Sequence, residues 1–264
     1  MSGKMTSYGI IKTIGGFIFE ERVINMKLFG FAGTMHTPSD TAEIMERFSD
    51  ELKKAGIIDT SVIVKASDVD VSMCKGCLSC YHCGKCVFDE QDDMARLKKE
   101  IIDSDIIVWG SPVYIHHVSG AMKNFIDRLV VWMYMYELVG KTAVTVSTAT
   151  SNGNAFVDRY LEKVLKIMGA NVAGKISVNM FSKDNEIEEQ LNNCCESVKK
   201  AVANGITEPD PIQEEYYSAT KRILSVPGAR GFLVEYWKEH DMFKVEKYAD
   251  HFNSYLGNRM KHQL

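Results

Sequence analysis

Asp105-Ile106-Ile107-Val108-Trp109-Gly110-Ser111-Pro112-Val113-Tyr114 is the stretch on which the fold of this chain turns. Ile106 to Trp109 is a continuous apolar run, the pattern of a strand buried on both faces of a parallel sheet. It ends in Gly110-Ser111-Pro112, a strand-to-loop turn of the kind that carries function in open α/β sheets. The same rhythm continues on both sides. Toward the N-terminus, Lys27 to Ala32 is another such run, followed by a helix with Ile44, Met45, Phe48 and Leu52 at helical spacing and Gly56 as its stop. Ser61 to Ala66 is a further strand, and a helix from Met94 to about Asp103 starts behind the acidic pair Asp92-Asp93. Toward the C-terminus come a helix over 119–136, a strand over 141–147, a helix stopping at Gly169, a strand over 171–178 and a helix over 186–203. Five such strand–helix units in a row predict an α/β fold: a doubly wound, five-stranded parallel sheet with helices on both faces.

In such a sheet ligands sit beyond the carboxyl ends of the strands, where the strand order reverses. Three loops fall at those ends and are polar or marked by Gly and Pro: 33–41, 110–116 and 147–153. The first, from Gly33 through Ser39 to Thr41, leads from a strand into a helix and offers a phosphate seat. Backbone N–H groups, the positive helix N-terminus and the hydroxyls of Ser and Thr would all face the anion. A plain helix cap made by Ser39 or Asp40 accounts for the same residues. Neither the Gly-x-Gly-x-x-Gly of a dinucleotide fold nor a P-loop is present.

The loop behind the second strand, 73–94, carries Cys74, Cys77, Cys80, Cys83 and Cys86, separated by two residues each time. Thiols this close cannot be spread over a disulfide framework without severe strain. Their spacing suits a soft metal or an iron–sulfur cluster. A loop that stays reduced and binds nothing is the other reading. The adjacent Cys194-Cys195 lie on an expected helix and read as inert.

With 31 Lys and Arg against 35 Asp and Glu, the net charge is −4 and no basic block exists, which argues against a nucleic-acid partner. No apolar run approaches the ~20 residues that span a bilayer, so no membrane partner is expected. Lys12 interrupts the apolar patch near the N-terminus and no small-residue cleavage site follows, so a signal peptide is not expected. Clustered free thiols then point to a reducing cytoplasm. Residues 1–25 read as an appendage, with a hairpin of Ile10–Ile14 and Phe17–Phe19 on a Gly15-Gly16 turn. Met26, just before the first strong strand, is an alternative start to Met1. Residues 26–204 form the α/β domain, and 205–264 a linker and helical tail. That tail carries Tyr216, Tyr217, Phe232, Tyr236, Trp237, Phe243, Tyr248, Phe252 and Tyr255, aromatics that need a surface to bury against. Packing on the chain's own domain, a dimer partner and a lid over the ligand site all account for it, and packing together with dimerisation is expected.

Four segments carry a resemblance to a known family. They are Gly33-Thr34-Met35-His36 with Ser39-Asp40-Thr41; Gly110 to Tyr114 with Gly120-Ala121-Met122-Lys123-Asn124-Phe125-Ile126-Asp127-Arg128-Leu129; Gly140-Lys141 with Ser147-Thr148; and the cysteine run with Gly84 and Asp92-Asp93-Met94. Together they resemble the flavodoxin-like NADPH-dependent FMN reductases, and among these the iron–sulfur flavoproteins. The segment around Glu235-Tyr236-Trp237-Lys238-Glu239 is similar to the C-terminal part of clostridial and archaeal members. The resemblance implies a flavodoxin-like fold with FMN at the sheet edge. Its phosphate would meet Thr34, Ser39 and Thr41, with His36 standing where the family usually has Arg. The ring would lie against Pro112, Val113, Tyr114 and Ile115 on one side and Ser147, Thr148, Ala149, Asn152 and Gly153 on the other. His36 and Asp40 depart from the family's Arg and Asn, so weaker FMN binding is expected. For the cysteines the resemblance implies Cys74, Cys77, Cys80 and Cys86 as ligands of a [4Fe–4S] cluster, with Cys83 spare; zinc and an empty loop stay open.

No acid or base catalyst is implied, because the flavin performs the redox chemistry and the protein positions it. His116 and His117 read as loop histidines beside the flavin. The expected function is an FMN-dependent oxidoreductase, fed by NAD(P)H or ferredoxin and passing electrons to a flavin, quinone or similar acceptor. A homodimer or homotetramer is the expected assembly. An electron carrier with FMN and a cluster, and a zinc-stabilised module without redox activity, are the competing readings.

Overall fold

The computed structural model describes residues 11–14, 17–20, 26–204 and 209–261. Its centre is a sheet of five parallel strands: β3 (Lys27–Ala32), β4 (Thr60–Lys65), β5 (Ile106–Tyr114), β7 (Thr142–Ala149) and β8 (Asn171–Asn179). Their spatial order is β4-β3-β5-β7-β8, the 2-1-3-4-5 order of flavodoxin-like sheets, and the order reverses between β3 and β5. One element departs from the expected five. β5 runs on past the sheet to Tyr114, folds back, and pairs antiparallel with the two-residue β6 (His117–Val118). Ahead of the domain, β1 (Ile11–Ile14) and β2 (Phe17–Glu20) pair antiparallel, with Ile14 opposite Phe17. The intervening Gly15-Gly16 lie outside the described residues.

Alternation along β5 divides the core. Ile107 and Trp109 face one side, where α3 (Met94–Ile102), α4 (Gly120–Asp127) and α6 (Asn154–Ile167) supply Leu97, Ile101, Phe125 and Leu161. Ile106 and Val108 face the other, against α1 (Asp40–Lys54) and α7 (Asp184–Asn204). The single long helix expected over 119–136 is instead α4 and, after a run of turns, the short α5 (Trp132–Met135). It ends at Tyr136, whose φ of 55° cannot continue a right-handed helix.

The tail packs on its own domain. Asp210 and Gln213 cap α8 (Pro211–Leu224) reciprocally, and α9 (Phe232–Glu239) and α10 (Tyr248–Lys261) follow. Tyr217, Trp237, Tyr248 and Phe252 close around Tyr136 in a third apolar cluster. Each buried polar tip finds a partner: Trp237 Nε1 donates to Tyr134 O at 2.7 Å, Tyr248 OH to Gly169 O at 2.8 Å and Tyr217 OH to Met242 O at 2.6 Å. No helix of the described residues is long and apolar enough to cross a membrane.

Candidate functional site

The carboxyl ends of β3, β5 and β7 bring the three expected loops together. Gly33 follows β3 directly beneath α4: a Cβ there would stand 2.4 Å from Met122 Cβ and 3.0 Å from its Cα, so only glycine lets the two elements approach. Its N–H donates to Gly110 O at 2.7 Å, and its carbonyl accepts from Ser119 Oγ. The loop it opens is therefore fixed to the β5 turn. Beyond it Thr34 is buried, its Oγ1 accepting from His36 N at 3.1 Å, while His36 is exposed. Ser39 is the helix cap, accepting from Ala42 N; Asp40, weighed as a cap from sequence, is instead the first helical residue. As in any helix, the first-turn N–H groups at Asp40 and Thr41 have no intrahelical acceptor and point out of the N-terminus. The Thr41 and Thr148 hydroxyls meet at 2.6 Å, tying the first loop to the third.

A cation that sequence reasoning missed stands at this loop. Lys65, the last residue of β4, reaches Thr37 Oγ1 at 3.2 Å and Asp68 Oδ1 at 3.5 Å. It brings an ammonium group to the loop, with the Asp68 carboxylate beside it.

On the opposite side, Pro112, Val113, Tyr114 and Ile115 lead into the β5–β6 hairpin. Its two-residue turn, Ile115 and His116, has φ of 48° and 57°, a left-handed pair that two non-glycine residues adopt only under strain. Tyr114 is half exposed and Ile115 wholly so. The third loop backs onto this hairpin: His116 Nε2 and Asn152 Oδ1 are 3.0 Å apart, and His116 stacks on Phe156. Gly153, at φ 97°, lies under Val113. Ser147 is fully buried and receives a hydrogen bond from Asn154 at 3.0 Å, so its hydroxyl is turned toward α6. Thr148 is buried as well, whereas Ala149 stays partly open. A cleft of about 450 Å³ opens between Pro112, Val113, Tyr114, Thr148, Ala149 and the first turns of α1. Its size is that of a small-molecule site, and the charged side chains of Asp40, Glu43, Arg47 and Asp184 stand in its lining beside the apolar ones.

The cysteine loop leaves from the same edge. Gly76 and Gly84 both have positive φ, 63° and 75°, and Leu78 adds a third reversal at 60°. Between them α2 (Ser79–Cys83) makes one turn. Cys74, Cys77, Cys80 and Cys86 line one cavity of about 320 Å³ with Lys75, Tyr81, Phe88 and Arg128. Cys83 is exposed and lies apart, its thiol directed at Ser79 O and Lys85 O. Burial, and then the neighbouring Cys86 and Cys74, push the Cys80 thiol above its ordinary pKa. Among the described residues no group of three or more His, Cys, Asp or Glu side chains is already arranged to hold a metal ion. The donor chemistry nevertheless fits a soft centre, with four thiols on one cavity wall and the fifth turned out.

The loop is held by one face of α4, a second feature the sequence reading did not draw out. Asn124 accepts from Cys74 N at 3.0 Å and donates to Val71 O at 2.9 Å. Four residues on, Arg128 donates to Ser72 O at 2.8 Å and to Asp89 and Asp92. Asn124 and Arg128, four residues apart along α4 and its C-cap, were the available signal. From the other side Phe232 of α9 lies against Gly84, where a Cβ would stand 2.4 Å from the ring.

Comparison with known proteins follows this geometry. The profile of the NADPH-dependent FMN reductases matches residues 26–184. A protein of Archaeoglobus fulgidus described as an iron-sulfur flavoprotein is 27% identical over 227 residues, covering 81% of this chain and 98% of its own. An iron-sulfur flavoprotein of Clostridioides difficile is 28% identical over 154 residues, covering 58% of this chain and 68% of its own. Among solved structures an NADH:FMN oxidoreductase superposes with a TM-score of 0.53 at 20% identity, over 70% of this chain and 92% of that one. At that identity the likeness speaks for the fold. The profile match spans more than half of the sequence: the chain belongs to the NADPH-dependent FMN reductase family.

Proposed function

We propose that the chain holds FMN at the carboxyl edge of its sheet and works as an oxidoreductase, taking electrons from NAD(P)H or a reduced ferredoxin and delivering them to a flavin, quinone or similar acceptor. The observation that carries this reading is that three loops meet at one sheet edge, where the second and third, with the first turns of α1, line one cleft. Each contributes a different element: an anion seat at the α1 N-terminus, an exposed aromatic and aliphatic wall at Tyr114 and Ile115, and the Thr148–Ala149 backbone opposite. Thr34, Ser39 and the first-turn N–H groups of α1 would hold the phosphate, with Lys65 as counter-charge. His36 and Thr41 border the same seat. Pro112 to Ile115 and Thr148 to Gly153, including Asn152, would hold the ring. When bound, FMN supplies the hydride and electron chemistry. What the chain's residues do is bind, orient and exclude water. The Thr41–Thr148 and His116–Asn152 contacts fix the two ring-facing loops relative to the phosphate seat, so the cleft is formed before anything enters.

Reconstitution with FMN, followed by NADH and NADPH oxidation with free flavin and a quinone as acceptors, tests the reading. Bound flavin absorbance with pyridine-nucleotide turnover is expected. A protein that takes up no FMN would sink it.

The cavity shared by Cys74, Cys77, Cys80 and Cys86 favours a second reading, in which a [4Fe–4S] cluster exchanges electrons with FMN and the protein is an electron carrier. Turnover with ferredoxin alone, beside iron and sulfide in anaerobically purified protein, supports it. A homodimer or homotetramer would bury exposed apolar side chains such as Met35, Ile115, Met180 and Phe181. Light scattering of the flavin-loaded protein reads that mass.

A further inference from the structure

The cleft at the sheet edge is lined by two unlike sets of residues. Pro112 to Tyr114, with Thr148 and Ala149, bring no charge to it. The rest of the lining comes from α1, the end of β8 and the start of α7, and there Asp40, Glu43 and Asp184 stand with Arg47 as the one cation. All three carboxylates belong to exposed residues, and among the described residues none has an ion-pair or hydrogen-bond partner. Arg47 is already committed, its Nη2 lying 2.5 Å from Glu188 Oε1. Thr34, Ser39 and Lys65, the residues of the phosphate seat, lie outside this lining.

The charge balance decides what such a cleft admits. α1 and α7 both begin here, and each helix N-terminus carries about half a positive charge, felt within its first turn. With Arg47 and Glu188 cancelling, three carboxylates stand against about one positive unit. The cleft keeps a negative excess, and a phosphate seated at α1 would deepen it. Charge of one sign beside low-dielectric walls concentrates the field, drawing in opposite charge and opposing like charge. The buried Ile44, Val178 and Ile187 supply such walls. Resting on the flavin reading above, we propose that Asp40, Glu43 and Asp184 are specificity-determining residues, which admit uncharged or cationic acceptors, quinones among them, and turn away anionic ones. The apolar lining accommodates a flat uncharged ring, while no side-chain cation of the lining is free to pair with a sulfonate, carboxylate or phosphate. The overall step, NADH + H⁺ + quinone → NAD⁺ + hydroquinone, carries two electrons and two protons to the acceptor and needs no charged group on it.

The test uses the full chain loaded with FMN and two quinones that do not add to thiols, the uncharged 2-(hydroxymethyl)anthraquinone and the anionic anthraquinone-2-sulfonate. Flavin content is measured first. Equilibrium dialysis of the oxidised protein then gives both Kd values without turnover, and mixing the reduced protein with each quinone gives the rates. At low ionic strength the uncharged quinone should bind about tenfold or more tightly than the sulfonate, and added salt should shrink that ratio. Glu43→Gln combined with Asp184→Asn should cut the ratio about fivefold. Arg47→Gln, which leaves Glu188 without its partner, should instead raise it. Should a variant load poorly, it and the parent are compared flavin-free, since the carboxylates line the cleft with or without FMN. A parent that takes up no FMN overturns the flavin reading and this inference with it. A loaded parent that binds both quinones equally, binds neither, or shows a ratio that the double substitution leaves unmoved overturns the inference alone.

Discussion

Replacing Lys65 by Met should separate the binding of FMN from that of riboflavin, which has the same ring and no phosphate. Lys65 Nζ lies 3.2 Å from Thr37 Oγ1, and its side chain is 26% exposed. A phosphate resting on the hydroxyls of that loop would stand about 5 Å from it, where two unit charges attract by roughly 3 kcal/mol at an effective dielectric of about 20. Partial exposure and salt reduce that figure, while Asp68, 3.5 Å from Nζ, loses its partner in the variant and adds repulsion. A net loss of about 1.5–2 kcal/mol follows, which is roughly a ten- to thirtyfold weaker Kd for FMN. Quenching of flavin fluorescence at low and high salt measures both ligands. Riboflavin affinity should not change, and the gap between FMN and riboflavin should narrow as salt rises. Equal weakening of both ligands would refute the reasoning, because it would show that Lys65 acts on the fold rather than on the phosphate.

Three further outcomes are expected. Cys77→Ala should abolish iron uptake by anaerobic protein, while Cys83→Ala, which removes a thiol already turned toward Ser79 O and Lys85 O, should leave it intact; equal loss in both would mean the ligand set is misassigned. Gly84→Ala forces a side chain onto φ 75° and a methyl into the Phe232 ring, costing about 1–3 kcal/mol, or roughly 2–4 °C of melting temperature per kcal/mol, and should expose the tail to limited proteolysis. Burial pushes Asp92 up, but hydrogen bonds from Arg128, Met94 N and Ser72 N outweigh it and hold its carboxyl below the usual range. A depressed carboxylate contributes stability above its unfolded pKa of about 4 and loses it as pH falls through the folded value, so hydrogen exchange at 72–74 should accelerate below about pH 4 in the parent and be insensitive there in Asp92→Asn.

The strands of the sheet could be read from the sequence because buried parallel strands leave apolar or β-branched runs, and Lys27–Ala32, Ile106–Trp109 and Thr142–Val146 are such runs. The β6 return could not, since a two-residue strand carries no periodicity and its turn uses Ile115 and His116 in a conformation usually reserved for Gly and Asn. Two reversals of the cysteine loop fall on glycines, Gly76 and Gly84, which a sequence can mark; the reversal at Leu78 has no such marker. The loops of the candidate site followed from topology, but their partners did not. Lys65 and Arg128 act across 28 and 56 residues of sequence, on Thr37 and Ser72, and no local pattern encodes a contact at that separation. The tail's aromatics announced burial without saying where, and the answer depended on Tyr136, placed by the end of α5.

The contact between Phe232 and Gly84 also has a temporal side. Synthesis runs from the N-terminus, so the cysteine loop is complete roughly 150 residues before α9, on the order of ten seconds on the ribosome. During that interval Gly84 has no aromatic ring over it and the surface that α9 will occupy stays open. A nascent chain therefore passes through a state in which its five closely spaced thiols can be reached by assembly factors or by oxidants. That access narrows when the last fifty or so residues dock. The order in which this chain is made thus sets a window for loading its cysteines, and slowing translation after residue 90 should widen it.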